Sequence, residues 1–233
     1  MPTLLLTFEG PLQSWGSGSK FDNRQTENIP TKSGIIGMIA AAMGRKRTDN
    51  LDDLNELVLS IRIDQPGTLL DDLQILAIPG QEHPYLGHKF YLSDAKFLIA
   101  LGHADQSFLE KISKALKHPV YPISLGRRNC VPTGEIVKKI VPSNGVEALR
   151  SYPWLASNWF RKRNKNKNIQ LRIFTEEQTG FRQFTLKDHP VSFDKNHRQY
   201  NLRIFNEIES LEITDDSLAN QQLDFFAGAE LCS

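Results

Sequence analysis

The stretch AKFLIALGHADQSFLEKISKALK, residues 95–117, sets an apolar run directly before a periodic one. Ala95 to Leu101 reads as a strand, and Gln106 to Lys117 as an amphipathic helix with Phe108, Leu109, Ile112 and Leu116 on one face. Upstream, LQILAI (73–78) offers another strand, SIRID (60–64) alternates like a half-buried one, and Leu51 to Leu59 looks like a short amphipathic helix. Downstream, Val120-Tyr121-Pro122-Ile123 reads as a last strand segment leading into Ser124-Leu125-Gly126-Arg127-Arg128. At the start of the chain, TLLLTF (3–8) is a buried strand ended by Glu9-Gly10-Pro11. GIIGMIAAAMG (34–44) is apolar nearly all round and predicts a helix buried on most sides, with Ser33 as N-cap and Gly44 as its stop. Gly34 and Gly37 would let that helix approach a neighbour closely.

The order β, α, β-rich segment, β, α, β with a hairpin-like middle is the split βαβ pattern of an α+β, ferredoxin-like domain, placed here over residues 1–128. Residues 129–233 form a β-rich C-terminal part, with strand-like runs at 135–141, 169–174 and 200–206 and no comparable helix before the C-terminal tail. Whether this part packs as one body with the first, as a second lobe or as a degenerate repeat, stays open.

Composition narrows the function classes. The chain has 233 residues, 28 Lys+Arg against 27 Asp+Glu, and 39% hydrophobic and 24% charged positions, as in an ordinary globular protein with a real core. No apolar run approaches the ~20 residues needed to cross a bilayer. The N-terminus lacks a basic region before its apolar run and reaches an acid at Glu9, so no secretory signal is expected. Cys130 and Cys232 lie far apart without any CxxC or Cys/His ligand spacing, so neither a disulfide framework nor a metal site is expected, and a reducing cytoplasm fits best. The net charge of +1 conceals basic clusters at Arg45-Lys46-Arg47, Arg127-Arg128 and Arg161 to Lys167, which favour a polyanionic partner.

Four segments could carry chemistry. The Gly-rich turn from Gly10 feeding a helix start near Gly37, with Lys32 beside Ser33, offers backbone N–H groups and a positive dipole end to an anion. It contains neither G-x-x-x-x-G-K-[ST] nor G-x-G-x-x-G, so NTPase and dinucleotide readings lose support. Arg127 and Arg128, adjacent and pointing in different directions, suit an extended ligand whose phosphates and bases accept guanidinium forks. The run Arg161-Lys162-Arg163-Asn164-Lys165-Asn166-Lys167, after Trp154, Trp159 and Phe160, reads as a poor helix and a mobile, solvated or phosphate-contacting loop. The Pro79–Tyr91 loop carries His83, Tyr85, His88 and Lys89, suited to base stacking or to acid–base work. No G-x-S-x-G, H-E-x-x-H or apolar carboxylate pair occurs; Asp52-Asp53, Asp71-Asp72 and Asp215-Asp216 look like turn and cap residues.

Several of these segments together form an ordered set. Leu6 to Gly16 (LTFEGPLQSWG), Pro30 to Gly37 (PTKSGIIG), Tyr91 to Phe97 (YLSDAKF), Leu125 to Cys130 (LGRRNC), and Asp188-His189-Pro190 followed by Arg198 and the strand at Tyr200 resemble the CasD-type subunits of the type I-E CRISPR Cascade complex, a family of the RAMP superfamily. The resemblance implies a ferredoxin-like (RRM-like) body with a protruding β-hairpin thumb, which here would be short and lie at 79–91. It further implies a non-catalytic subunit that holds the 5′ handle of a CRISPR RNA, caps one end of the complex, and works beside the backbone and large subunits, meeting target DNA through them. No cofactor, metal or membrane is implied. Gln13, Ser14, Trp15, Gly16 and Ser17 would face the handle, Lys32 and Ser33 would hold phosphate, and Gly126, Arg127 and Arg128 would clamp backbone or bases. His88 and Lys89 would contact RNA from the thumb. The alternative is a metal-independent endoribonuclease processing CRISPR repeat RNA, with His88 and Lys89, or His83 and Tyr85, as acid–base groups. A purely protein-binding adaptor would have no RNA affinity.

Overall fold

The computed structural model describes residues 1–16, 23–77, 85–165, 168–178 and 180–213. Its mixed α+β architecture is built on one seven-stranded antiparallel sheet. In chain order the strands are β1 (Thr3–Glu9), β2 (Leu12–Gln13), β3 (Asn23–Arg24), β4 (Val58–Gln65), β5 (Thr68–Leu76), β6 (Tyr85–Ser93), β7 (Lys96–Gly102), β8 (Val137–Val141), β9 (Ile169–Thr175), β10 (Arg182–Ser192) and β11 (Gln199–Ile213). The helices are α1 (Lys32–Ala42), α2 (Asp52–Asn55), α3 (Gln106–Lys117), α4 (Gly145–Ser151) and α5 (Asn158–Arg163). The large sheet runs β10-β11-β9-β4-β7-β1-β8; β2, β3, β5 and β6 make a second sheet.

The central strands are apolar without alternation because both of their faces are covered. Leu4, Leu6 and Phe8 of β1 and Phe97, Ile99 and Leu101 of β7 pack into the main core with α1 and α3. Leu5, Leu98 and Ala100 point the other way, onto Val146, Ala148 and Leu149 of α4. Helix α3 occupies the span read from its periodicity, with the Asp105 carboxylate accepting from Ser107 N–H at 2.8 Å and Lys114 and Lys117 in its last turn.

Helix α1 starts earlier than its apolar run suggests. Thr31, not Ser33, is the N-cap, its hydroxyl accepting from Gly34 N–H at 3.3 Å. At the other end, Gly44 takes φ +76°, its N–H bonding Ala41 O and that of Arg45 bonding Ala40 O, so two terminal carbonyls are satisfied in a Schellman closure.

Other expectations change. Residues 120–121 do not form a strand; their N–H groups donate to Ala42 O and Ala41 O at the end of α1, and the strand following α3 is β8. Helix α2 is a single turn, and β4 begins by Val58. The Pro79–Tyr91 segment is not a loop throughout: from Tyr85 it is β6, paired with β5 in an arm whose register runs from Thr68↔Ser93 to Leu76↔Tyr85. Backbone pairing overrides a polar, glycine-bearing sequence there. Arg161 to Arg163 are helical; the Arg161 guanidinium lies 5.1 Å from the Trp154 ring and donates to Ala156 O at 2.9 Å. Strand β10 and helix α4 were not read from the sequence, while Ser17, His83, Asp215-Asp216, the C-terminal tail and Cys232 lie outside the described residues. Among the described residues no helix is long and apolar enough to cross a membrane, and no His/Cys/Asp/Glu group could hold a metal.

Candidate nucleic-acid interface

Three segments far apart in sequence meet around one cavity of about 550 Å³. It is lined by Ser14 to Gly16, by Thr31, Ser33 and Gly34 at the α1 start, and by Gly126-Arg127. The contact between the first and third is a backbone one. Ser14 N–H donates to Leu125 O at 3.1 Å, and its hydroxyl donates to Phe90 O at 3.1 Å. Gly126 takes φ +92°, and a Cβ there would stand 1.7 Å from Ser14 O, so no other residue fits.

Arg127 is held in place but not saturated. Its guanidinium lies 4.7 Å from the centre of the Tyr91 ring, and Nη2 donates to Arg24 O at 2.6 Å. Its Nη1 is buried and finds no acceptor among the described residues. Arg24 is exposed on β3, which pairs in parallel with β6 (Asn23↔His88, Arg24↔Lys89). From the far side, Arg198 and Tyr200 reach the cavity from the approach to and start of β11. Among the described residues no Asp or Glu lines it.

The residues singled out from the sequence separate into three groups. Ser14, Trp15, Gly16, Ser33, Gly126 and Arg127 line this cavity, whereas Arg128 lines only a second one beside it. Gln13 and Lys32 lie beneath rather than facing a ligand. Gln13 is buried, donating to Ala95 O at 2.7 Å and accepting from Trp15 Nε1 at 3.1 Å. The Trp15 indole is itself core, stacked on Phe8 with ring centres 5.5 Å apart. Gly34 passes so close over that indole that a Cβ would sit 2.8 Å from it.

Lys32 is committed to a buried charge network. Its ammonium bridges to Glu176 at 3.0 Å, and its backbone N–H donates to Asp188 at 2.7 Å. Asp188 also accepts both arms of Arg203, at 2.8 and 2.7 Å, and Arg203 reaches Glu176 at 3.2 Å. Burial works against the Arg203 charge, yet the Asp188 hydrogen bonds and the two carboxylate charges carry its pKa upward. His189, next to Asp188, has its pKa lowered by burial first and by the Lys32 charge second. An unpaired buried ammonium would be costly, so the phosphate role expected for Lys32 is replaced by an internal one.

His88 and Lys89 stand on the arm and line neither cavity. His88 Nδ1 contacts Asp71 at 2.9 Å, and the Lys89 ammonium donates to Gln74 Oε1. An acid–base pair at a shared substrate pocket is not formed there. Sequence reasoning missed Arg24, Gln25, Thr31, Gly34, Arg198 and Tyr200 as cavity residues. For Thr31, Gly34, Arg198 and Tyr200 a signal existed, because each belongs to the ordered motif set.

The family model for "CRISPR-associated protein (Cas_Cas5)" matches residues 3–206. The chain belongs to this CRISPR-associated family. It is 33% identical over 214 residues to the CRISPR system Cascade subunit CasD of Escherichia coli (strain K12), covering 81% of this chain and 88% of that one. Its fold is similar to that of a chain in a structure of a CRISPR RNA-guided surveillance complex, with a TM-score of 0.75, 26% identity and coverage of 96% and 98% of the two chains. A crystal structure of a Cas protein matches with a TM-score of 0.67 and 33% identity, over 90% of this chain and 94% of that one. Within the family, the cavity described above is ringed by the chain's own motif residues.

Proposed function

We propose that this Cas5-family chain is a non-catalytic subunit of a cytoplasmic Cascade-type surveillance complex, holding the 5′ handle of the guide RNA in the cavity around Arg127. The observation that carries this reading is the Arg127 guanidinium nitrogen that, among the described residues, finds no acceptor, in a cavity that these residues line with Arg24, Arg127 and Arg198 and with no acid. A buried donor without an acceptor costs free energy, and a phosphate oxygen or base acceptor would remove that cost. Tyr200 and the backbone at Gly16, Ser33 and Gly126 suit a nucleotide's sugar, base and phosphate edges. Arg128, at the mouth, would meet RNA only as it leaves.

The order β8-β1-β7-β4, with α1 between the first and second of these strands in sequence and α3 between the third and fourth, supports a ferredoxin-like reading of this half. Because β9 and β11 continue the same sheet from β4, the two halves of the chain are read as one body. The β5–β6 arm is read as the thumb. Neighbouring backbone and large subunits, and target DNA through them, remain the partners of this reading.

Filter binding with 5′-handle RNA tests it. Arg127→Ala should weaken binding by about 10- to 100-fold, the value of ~1.5–3 kcal/mol for a hydrogen bond to a charged group. Unchanged affinity would contradict the reading. Incubating the protein with labelled repeat RNA in EDTA should yield no discrete cleavage; a single cut site would favour the endoribonuclease instead.

A further inference from the structure

A second cavity of about 840 Å³ runs along α1, sharing Ser33, Gly34, Gly126, Arg198 and Tyr200 with the first. The two are therefore one continuous trough that bends over the helix start. Among the described residues no Asp or Glu lines this second part either, while Arg45, Lys46, Arg47 and Arg128 do. Arg45 is already occupied, donating to Asp53 at 2.7 Å and to Asn50 O at 2.9 Å, and so fixes the turn after α1. Lys46, Arg47 and Arg128 are exposed, and none has an ion-pair partner among the described residues. Tyr121, half exposed, is held beside them because its N–H donates to Ala41 O at 3.3 Å.

Cations without partners beside an available aromatic face are the pattern by which proteins track a single strand: the charges follow the phosphates, and the ring accepts any base. Duplex nucleic acid has phosphates but no free base face, and an acidic peptide does not pair each of its charges with an aromatic face. We propose that the trough along α1 is a second binding surface, at which Lys46, Arg47 and Tyr121 hold the nucleotides of single-stranded RNA that continue beyond the Arg127 cavity. This rests on the reading of that cavity as an RNA site, and it assigns the exit path and its sequence-independent chemistry.

Fluorescence anisotropy with oligouridylates of about four and about twelve nucleotides separates the two claims. The longer RNA should bind the wild-type full chain at least about tenfold more tightly than the shorter. The Lys46→Ala/Arg47→Ala/Tyr121→Ala variant should bind the short RNA as wild type does. It should lose the advantage of the long one, and its slope of log affinity against log salt should fall by about 1.4, two phosphate contacts' worth. A thermal melt unchanged from wild type confirms that the variant is folded. Long-RNA affinity and salt slope equal to wild type would overturn the second surface, even where Arg127→Ala still weakens both RNAs. Equal competition by duplex DNA of the same length would also overturn it. If Arg127→Ala changes neither RNA's affinity, the first reading falls instead.

Discussion

Arg127 joins three requirements in one side chain. Its planar face lies on Tyr91, one terminal nitrogen fixes the Arg24 backbone, and the other finds no acceptor among the described residues. Lysine can supply the charge but not the stacked plane or the fork. Arg127→Lys should therefore lose most of the RNA affinity that Arg127→Ala loses, as measured by filter binding; recovery to wild type would mean that charge alone suffices. At His189 the folded-state pKa lies below its ordinary value, so the unfolded chain takes up the proton more readily. Stability should thus be full above about pH 6.5 and decline as acidification carries the histidine through its folded pKa. The melting temperature followed from pH 7.5 to 5 should fall less steeply in His189→Gln; identical slopes would contradict this. These residue-level facts were only partly legible in the sequence. Gln13 and Trp15 sit beside a glycine turn and read as ligand-facing, but which side of a two-residue strand faces the core depends on Ala95 and Phe8, which the local pattern does not show. Lys32 finds Glu176 across 144 residues, a distance no local spacing reveals.

At the scale of elements, two junctions hold the cavity. One is the close passage of Gly126 over Ser14, where any side chain would collide with backbone and adopt a strained φ. Gly126→Ala should cost about 2 kcal/mol or more, seen as a lower denaturation midpoint, together with weakened RNA binding. The other is the Asp188–Arg203–Glu176–Lys32 network, which fastens β10 and β11 to the start of α1 and so brings Arg198 and Tyr200 to the site. Asp188→Ala leaves Arg203 buried without its bidentate partner and should destabilise the protein by about 3–5 kcal/mol in urea unfolding. A cost below about 1 kcal/mol would mean that the network contributes little. The periodic helix α3 and the uniformly apolar strand β7 were placed from sequence because packing agreed with pattern. The arm was placed only in part, as a strand at 73–78 and a short thumb at 79–91 rather than paired strands from Thr68 to Ser93, since Leu69, Leu73, Ile75 and Leu86 are exposed apolar residues and β6 is interrupted by Gly87. Its pairing is set by backbone hydrogen bonds that composition does not display.

Over the whole molecule, the arm and the body divide the work of stability. Leu69, Leu73, Ile75 and Leu86 of the arm are exposed while Tyr91 and Leu92 at its base are buried, so Leu73→Asp should change the unfolding free energy by no more than ~0.5 kcal/mol, whereas truncating Ile39, fully buried in α1, should cost about 2–5 kcal/mol. Equal effects would mean that the arm folds back onto the core. The ferredoxin-like order could be anticipated from the succession of strands and helices. The continuation of the same sheet through β9, β11 and β10 could not, because edge pairing between distant strands leaves no periodic trace. That continuation carries Arg198 and Tyr200 into the cavity and completes its lining. Photo-cross-linking of bound 5′-handle RNA to the full chain, with the attached peptides read by mass spectrometry, tests this convergence most directly. Adducts should fall within residues 14–16, 23–34, 124–128 and 198–200; adducts confined to the arm at 85–93 or to the basic stretch at 161–165 would contradict it.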